Sequence, residues 1–145
     1  MSVDTDNNAE FVEAWQKFIA SEKRVTNDPM EAHYIGFNMW AQAVTNAGTT
    51  DSEAVQDALI GVSVPNLSGG YSTMLPNHHI TKPVLIGEIQ DDGQFDVVWE
   101  TTGLVAGDAW SQYLPESAKL YSSWSKPFSC GAFNVETNKC AGSTN

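Results

Sequence analysis

"TDSEAVQDALIGVSVPNLSGGYSTMLPN", residues 50–77, changes its grammar half-way. Up to Gly61 it reads as a short helix. Thr50 is placed to cap it, Glu53 answers three residues later, and Gly61 stops it. Beyond Gly61 the 3.6-residue period is lost. Pro65, Gly69, Gly70 and Pro76 break the chain, which leaves loop and a short strand near 71–75. The switch from helical to strand-like patterning at Gly61 makes this an α/β chain, helical first and β-rich second.

Upstream of the switch two further helices are expected. "NDPMEA" carries a strong start signal: Asp28 as N-cap, Pro29 at the first helical position, and Glu31 at the third, reaching back to the cap. That helix should run to Asn46, with Gly48 as its stop. Met30, Tyr34, Phe37, Ala41 and Val44 trace its apolar face, and Trp40 widens it. The earlier helix should begin at Asn7 or Asn8 and end near Ser21. Its stripe is Phe11, Val12, Trp15, Phe18 and Ile19, the signature of a helix packed on a core.

Downstream, residues 83–89 and 94–100 are β-rich runs separated by Asp91, Asp92 and Gly93, a hairpin pattern. From Gly103 to the end no sustained period appears. Residues 103–145 read as an irregular aromatic tail with a short helix near 115–120.

Composition narrows the function classes. The 145 residues carry 18 acidic and 7 basic side chains, a net charge of −11. Nucleic acid and anionic membrane surfaces attract basic patches, so both are disfavoured as partners. No run of 18 apolar residues is present, so no membrane insertion is expected. The start "MSVDTDNNAEF" has neither the basic nor the apolar region of an export signal, and taken literally it keeps the chain in the cytosol. Cys130 and Cys140, in a loop of small and polar residues, are compatible with a disulfide, with free thiols or with a metal.

The motifs for chemistry are sparse. His78 and His79 are adjacent, so in extended chain they point to opposite sides and do not converge on one metal. His33, the third histidine, is far off in sequence and gives no H-x-x-x-H spacing. The expected arrangement has one ring of the pair bonded to a backbone carbonyl and the other in solvent. No G-x-S-x-G or C-x-x-C is present, and Gly69-Gly70 is too short for a phosphate loop. The acids of "DTDNNAE" lack the glycine and the final acid of a calcium loop and suit helix capping better. No enzyme, metal or cofactor is expected.

In combination, "RVTNDPMEAHYIGFNMWAQAVTNAGTTDSEAVQDAL", "PNHHITKPVLIGEIQDDGQFDVVWET" and "GDAWSQYLPES" resemble the C-terminal part of the urea-type substrate-binding proteins of ABC transporters. That group is close to the short-chain amide and branched-chain amino-acid binding proteins. The ending "SCGAFNVETNKC" is similar as well. The resemblance covers nearly the whole chain but only the last part of the longer family members. It implies a partial periplasmic-binding-protein type I fold: three helices, then a β-hairpin and an irregular tail. In the full-length family two lobes are joined by three crossovers and enclose the solute. Residues 1–145 would contribute to both lobes, and Met1 would be an internal position.

The resemblance further implies a periplasmic location, permease subunits of the transporter as partners, and urea or a short-chain amide as ligand. An amide-sensing regulatory module is the alternative use of such a fold. Urea needs acceptors for its N–H groups and a donor for its carbonyl in a pocket shielded from water. By family analogy the positions nearest the cleft are Ser2, Asp4 and Tyr34, and Cys130 and Cys140 form a disulfide.

Overall fold

The computed structural model describes residues 2–110, 112–121 and 133–140. The chain divides into two compact units, Met1–Gly107 and Asp108–Asn145.

The first unit opens with α1 (Asp6–Ile19), whose N-cap is Thr5: its hydroxyl accepts from the Asn8 N–H. Ala20, in the left-handed region, closes the helix. The apolar stripe expected to pack on a core does not do so. Asn8 is its buried residue, Phe11, Val12, Trp15 and Ile19 are half-buried, and Phe18 is 83% exposed. The helix is held instead at its N-terminal end. Thr5 Oγ1 donates to Leu67 O at 2.6 Å, Asn7 donates to Asn66 O, and the Phe11 and Tyr34 rings lie 4.9 Å apart.

Helix α2 (Asp28–Ala47) is capped by Asn27, not Asp28. The Asn27 side chain accepts from the Met30 N–H at 3.0 Å, and Gly48 terminates the helix at φ 66°. Its buried face also differs from the expected one. Glu31, Ile35, Met39 and Ala43 are buried, whereas Met30, Tyr34, Phe37 and Ala41 of the expected stripe are not; Val44, from that stripe, packs half-buried against the core. Phe37 is exposed at 62%, and Tyr34 and Trp40 are exposed too. The helix is apolar on two sides, and α3 and β1 cover the Ile35 side. A hydrophobicity pattern cannot choose between two such faces, since the neighbour decides.

Helix α3 (Ser52–Leu59) is capped by Asp51, whose side chain accepts from the Ala54 N–H; Thr50 is not the cap. The core of the unit sits between α2, α3 and β1: Ile35, Met39, Ala43, Val55, Val62 and Val64. Strands β1 (Ser63–Pro65) and β2 (Tyr71–Thr73) pair antiparallel, Val64 opposite Ser72. They are a consequence of the break at Gly61 and the bend at Gly69 and Gly70.

The expected hairpin is present as β3 (Leu85–Ile89) and β4 (Phe95–Glu100), antiparallel. At its turn Gly93 adopts φ 79° and donates to Gln90 O, while Gln90 N donates to Gln94 O. Asp92 accepts from Gln94 N, which fixes the turn further. The ladder shifts register between Ile86 and Gly87. A Cβ on Gly87 would come within 2.9 Å of Phe95 Cβ, so this position lets the Phe95 side chain lie close to the strand. Apart from half-buried Leu85, every strand residue of the hairpin is exposed.

Among its described residues, the second unit contains a turn of 3-10 helix, Ser117–Lys119, within the expected 115–120 helix, and three two-residue strands. These are β5 (Leu120–Tyr121), β6 (Phe133–Asn134) and β7 (Lys139–Cys140), in the order β5-β6-β7. Lys119 pairs with Glu136 at 3.1 Å. Cys140 ends β7, while Cys130, its expected disulfide partner, lies outside the described residues.

Candidate functional site

Two of the three expected ligand positions line concavities in the first unit, and they line different ones. The first, about 700 Å³, lies between α1 and α2 and is lined by Phe11, Tyr34, Asn38 and Gln42 among others. Tyr34 belongs here, with its ring against Phe11. The second, about 710 Å³, lies among the N-terminal segment, the start of α2 and the hairpin. Ser2 belongs to this one. Asp4 is exposed and lines neither. The structure therefore does not gather Ser2, Asp4 and Tyr34 into one site.

Ser2 ties the N-terminal segment to the hairpin turn. Its hydroxyl accepts from Phe95 N at 3.0 Å and donates to Gln94 Oε1 at 3.2 Å. The same concavity receives Asp28 from the first turn of α2, Ser68 from the β1–β2 loop, and Lys82 from the segment before β3. The lining also includes Val3, Val25, Leu85, Phe95 and Val97. The lining thus combines a few polar groups with apolar side chains, the composition of a small-molecule site.

Glu31 assembles the polar side. The sequence marks it as a capping-box acid, yet it does not reach back to the cap. It is fully buried one turn into α2. Its Oε1 accepts from Leu67 N at 2.9 Å and from Ser68 Oγ at 3.0 Å, and its Oε2 accepts from Lys82 Nζ at 2.7 Å. Lys82 Nζ also donates to Asp28 Oδ1 at 2.6 Å. A buried carboxylate is tolerable only when paired and hydrogen-bonded, and Glu31 is both. Burial pulls the Lys82 pKa down. Its hydrogen bonds to Asp28 and Glu31, with the charges of both, outweigh that pull and lift it above the ordinary 10.5. No residue spacing announces this cluster, because Leu67, Ser68 and Lys82 lie 36, 37 and 51 positions from Glu31. The one signal available was a charged residue on the apolar α2 sequence.

The histidine pair does what its sequence suggests. His79 Nδ1 lies 3.0 Å from Asn77 O, and both rings are exposed. His78 adopts φ 59° in the turn, where its N–H donates to Leu75 O. Among the described residues, no group of three or more His, Cys, Asp or Glu side chains is placed to hold a metal ion. Nor is any described helix long and apolar enough to cross a membrane.

A family model described as "Periplasmic binding protein domain" matches residues 1–116. The chain belongs to this periplasmic binding protein family. The α/β make-up, mixed helices with small sheets, agrees with membership. Among curated proteins the chain is similar to one named limonene hydroxylase from Geobacillus stearothermophilus, 32% identical over 100 residues. The match takes in 69% of this chain and 18% of that protein. This periplasmic binding protein chain thus spans less than a fifth of its curated relative's length.

Proposed function

We propose that the chain is part of the solute-binding component of an ABC uptake system, and that its solute is urea or a short-chain amide. Family membership supports solute binding outside the cytoplasmic membrane. The resemblance of "NDPMEA" and "PNHHITKPV" to the urea-type binding proteins supports the narrower ligand class and permease subunits as partners. The observation that carries the reading is the hairpin concavity. It presents carboxylate and hydroxyl acceptors with ammonium and hydroxyl donors, from Asp28, Lys82, Ser2 and Ser68, among apolar lining side chains. A neutral polar solute needs both kinds of partner, since any N–H or carbonyl left unmatched on leaving water costs free energy.

The protein binds its solute without transforming it. The hydroxylase named among its relatives is a protein of which this chain matches 18%, and its activity is not carried over. Equilibrium dialysis with labelled urea, acetamide and butyramide tests the reading, on this chain and on the longest product of its reading frame. Saturable binding of at least one, with no ammonia released on prolonged incubation, is expected. Absence of binding by both products, or release of ammonia, would overturn it.

A further inference from the structure

We propose that the concavity between α1 and α2 is a second ligand site, and that it takes a small organic cation with an alkylammonium or guanidinium head group. It shares no lining residue with the hairpin concavity, so it stands or falls apart from the solute reading above.

Its lining is built from two helix faces. Asn7, Glu10 and Phe11 line it from α1, at i, i+3 and i+4, and Tyr34, Asn38 and Gln42 line it from α2, at i, i+4 and i+8. The three amide side chains spend N–H donors inside the protein. Asn7 Nδ2 donates to Asn66 O at 3.2 Å, Asn38 Nδ2 to Tyr34 O at 2.9 Å, and Gln42 Nε2 to Asn46 Oδ1 at 2.9 Å. None of their side-chain carbonyl oxygens accepts a hydrogen bond among the described residues. What the lining offers a ligand is therefore mainly acceptors.

Charge and aromatic surface point the same way. Glu10 is the charged member of the lining, and its side chain has no ion pair or hydrogen bond among the described residues. The last turn of α2, which includes Thr45 of the lining, carries no base, so the negative end of that helix has no countercharge of its own. The Phe11 and Tyr34 rings, 4.9 Å apart, supply aromatic surface, which attracts a cation through the ring quadrupole. An anion is repelled by Glu10. An ammonium brings three N–H donors and a guanidinium five, which match the carboxylate and the amide carbonyls.

The test is an NMR titration of the ¹⁵N-labelled chain with butylammonium and methylguanidinium chlorides, and with 1-butanol and butyrate as uncharged and anionic controls. At least one cation should bind saturably and shift the side-chain amides of Asn38 and Gln42, and both controls should bind about ten-fold more weakly or worse. The tighter of the two cations names the head group. Glu10→Gln should weaken cation binding about ten-fold with an unchanged melting curve. Glu13→Gln, at an exposed α1 position outside this lining, removes the same charge and should leave binding alone. Butanol binding as tightly as butylammonium would overturn the cation selectivity. Equal weakening by Glu10→Gln and Glu13→Gln would show a general attraction to a chain of net charge −11 and overturn the site. Cation binding that shifts Val25 and Phe95 but not Asn38 and Gln42, or no binding of either cation, would overturn it as well.

Discussion

The α2–α3–β1 core and the β3–β4 hairpin are built from equally apolar sequence, yet only the first is buried. Ile35, Met39 and Ala43 are fully inaccessible, whereas Ile86, Ile89, Val98 and Trp99 are exposed on the hairpin. In the core, side chains from separate elements meet and exclude water, and that burial fixes which face of α2 points inward. In the hairpin every strand residue except half-buried Leu85 is exposed among the described residues. Its register is held by the backbone ladder, the Gly93 turn and the Ser2 strap, not by a hydrophobic face. An isolated two-stranded hairpin is marginal by itself, so its attachments matter more than its side chains. The lesson is that apolar patterning states what a segment could bury, and contacts state what it does bury.

Glu31→Ala should be the most damaging single change to the buried side of this comparison. It strands Lys82 beside Asp28 alone and leaves the Leu67 N–H without its acceptor. Loss of one partner of a buried pair costs about 3–5 kcal/mol. Urea-free chemical denaturation in guanidinium would register it, and a loss under about 1 kcal/mol would mean that Glu31 is solvated in solution.

Next comes a matched pair of truncations. Met39→Ala should cost about 2–5 kcal/mol, because it empties a fully buried position. Val98→Ala on the hairpin should change stability by no more than about 0.5 kcal/mol. Equal losses at the two sites would show that another surface covers the hairpin in solution.

The caps are a smaller effect. Asn27→Ala should cost about 1 kcal/mol, read from the same unfolding curves, while Asp28→Ala should leave the cap intact. The reverse order would restore Asp28 as the cap.

The pH dependence sharpens the role of the charge cluster. The Lys82 pKa is raised in the folded state, so its pairing stabilises fully below the ordinary 10.5 and is lost as pH rises through the higher folded value. The stability gap between wild type and Lys82→Met should therefore be constant from neutral pH to about 10 and shrink above 10.5. A gap that shrinks on acidification alone would place the pairing energy elsewhere.

Much of this chain is legible in one dimension. Three helices, their approximate ends, the Gly48 stop, the change of period at Gly61 and the hairpin with its glycine turn all follow from local backbone chemistry. These features depend on neighbours only a few residues away, so a sequence carries them directly. His79 bonded to a nearby carbonyl is of the same kind. Cap identity was nearly legible: Asn27 and Asp28 are both good caps in sequence, as are Thr50 and Asp51, and a one-residue difference in where the backbone turns helical decides between them.

The tertiary structure decided what sequence separation hides. Which apolar face of α2 is buried depended on where α3 and β1 came to rest, and the stripe of α1 is only half-buried, with Phe11 against the Tyr34 ring and Phe18 exposed. The site was decided the same way. Ser2 and Tyr34, assigned together by analogy, stand in separate concavities, and Asp4 stands in neither. Glu31, Ser68 and Lys82 meet only because α2, the β1–β2 loop and the approach to β3 converge. Sequence fixes local preferences of a few kcal/mol or less per residue. A long-range contact exists only once the intervening chain has folded, and no local pattern contains it.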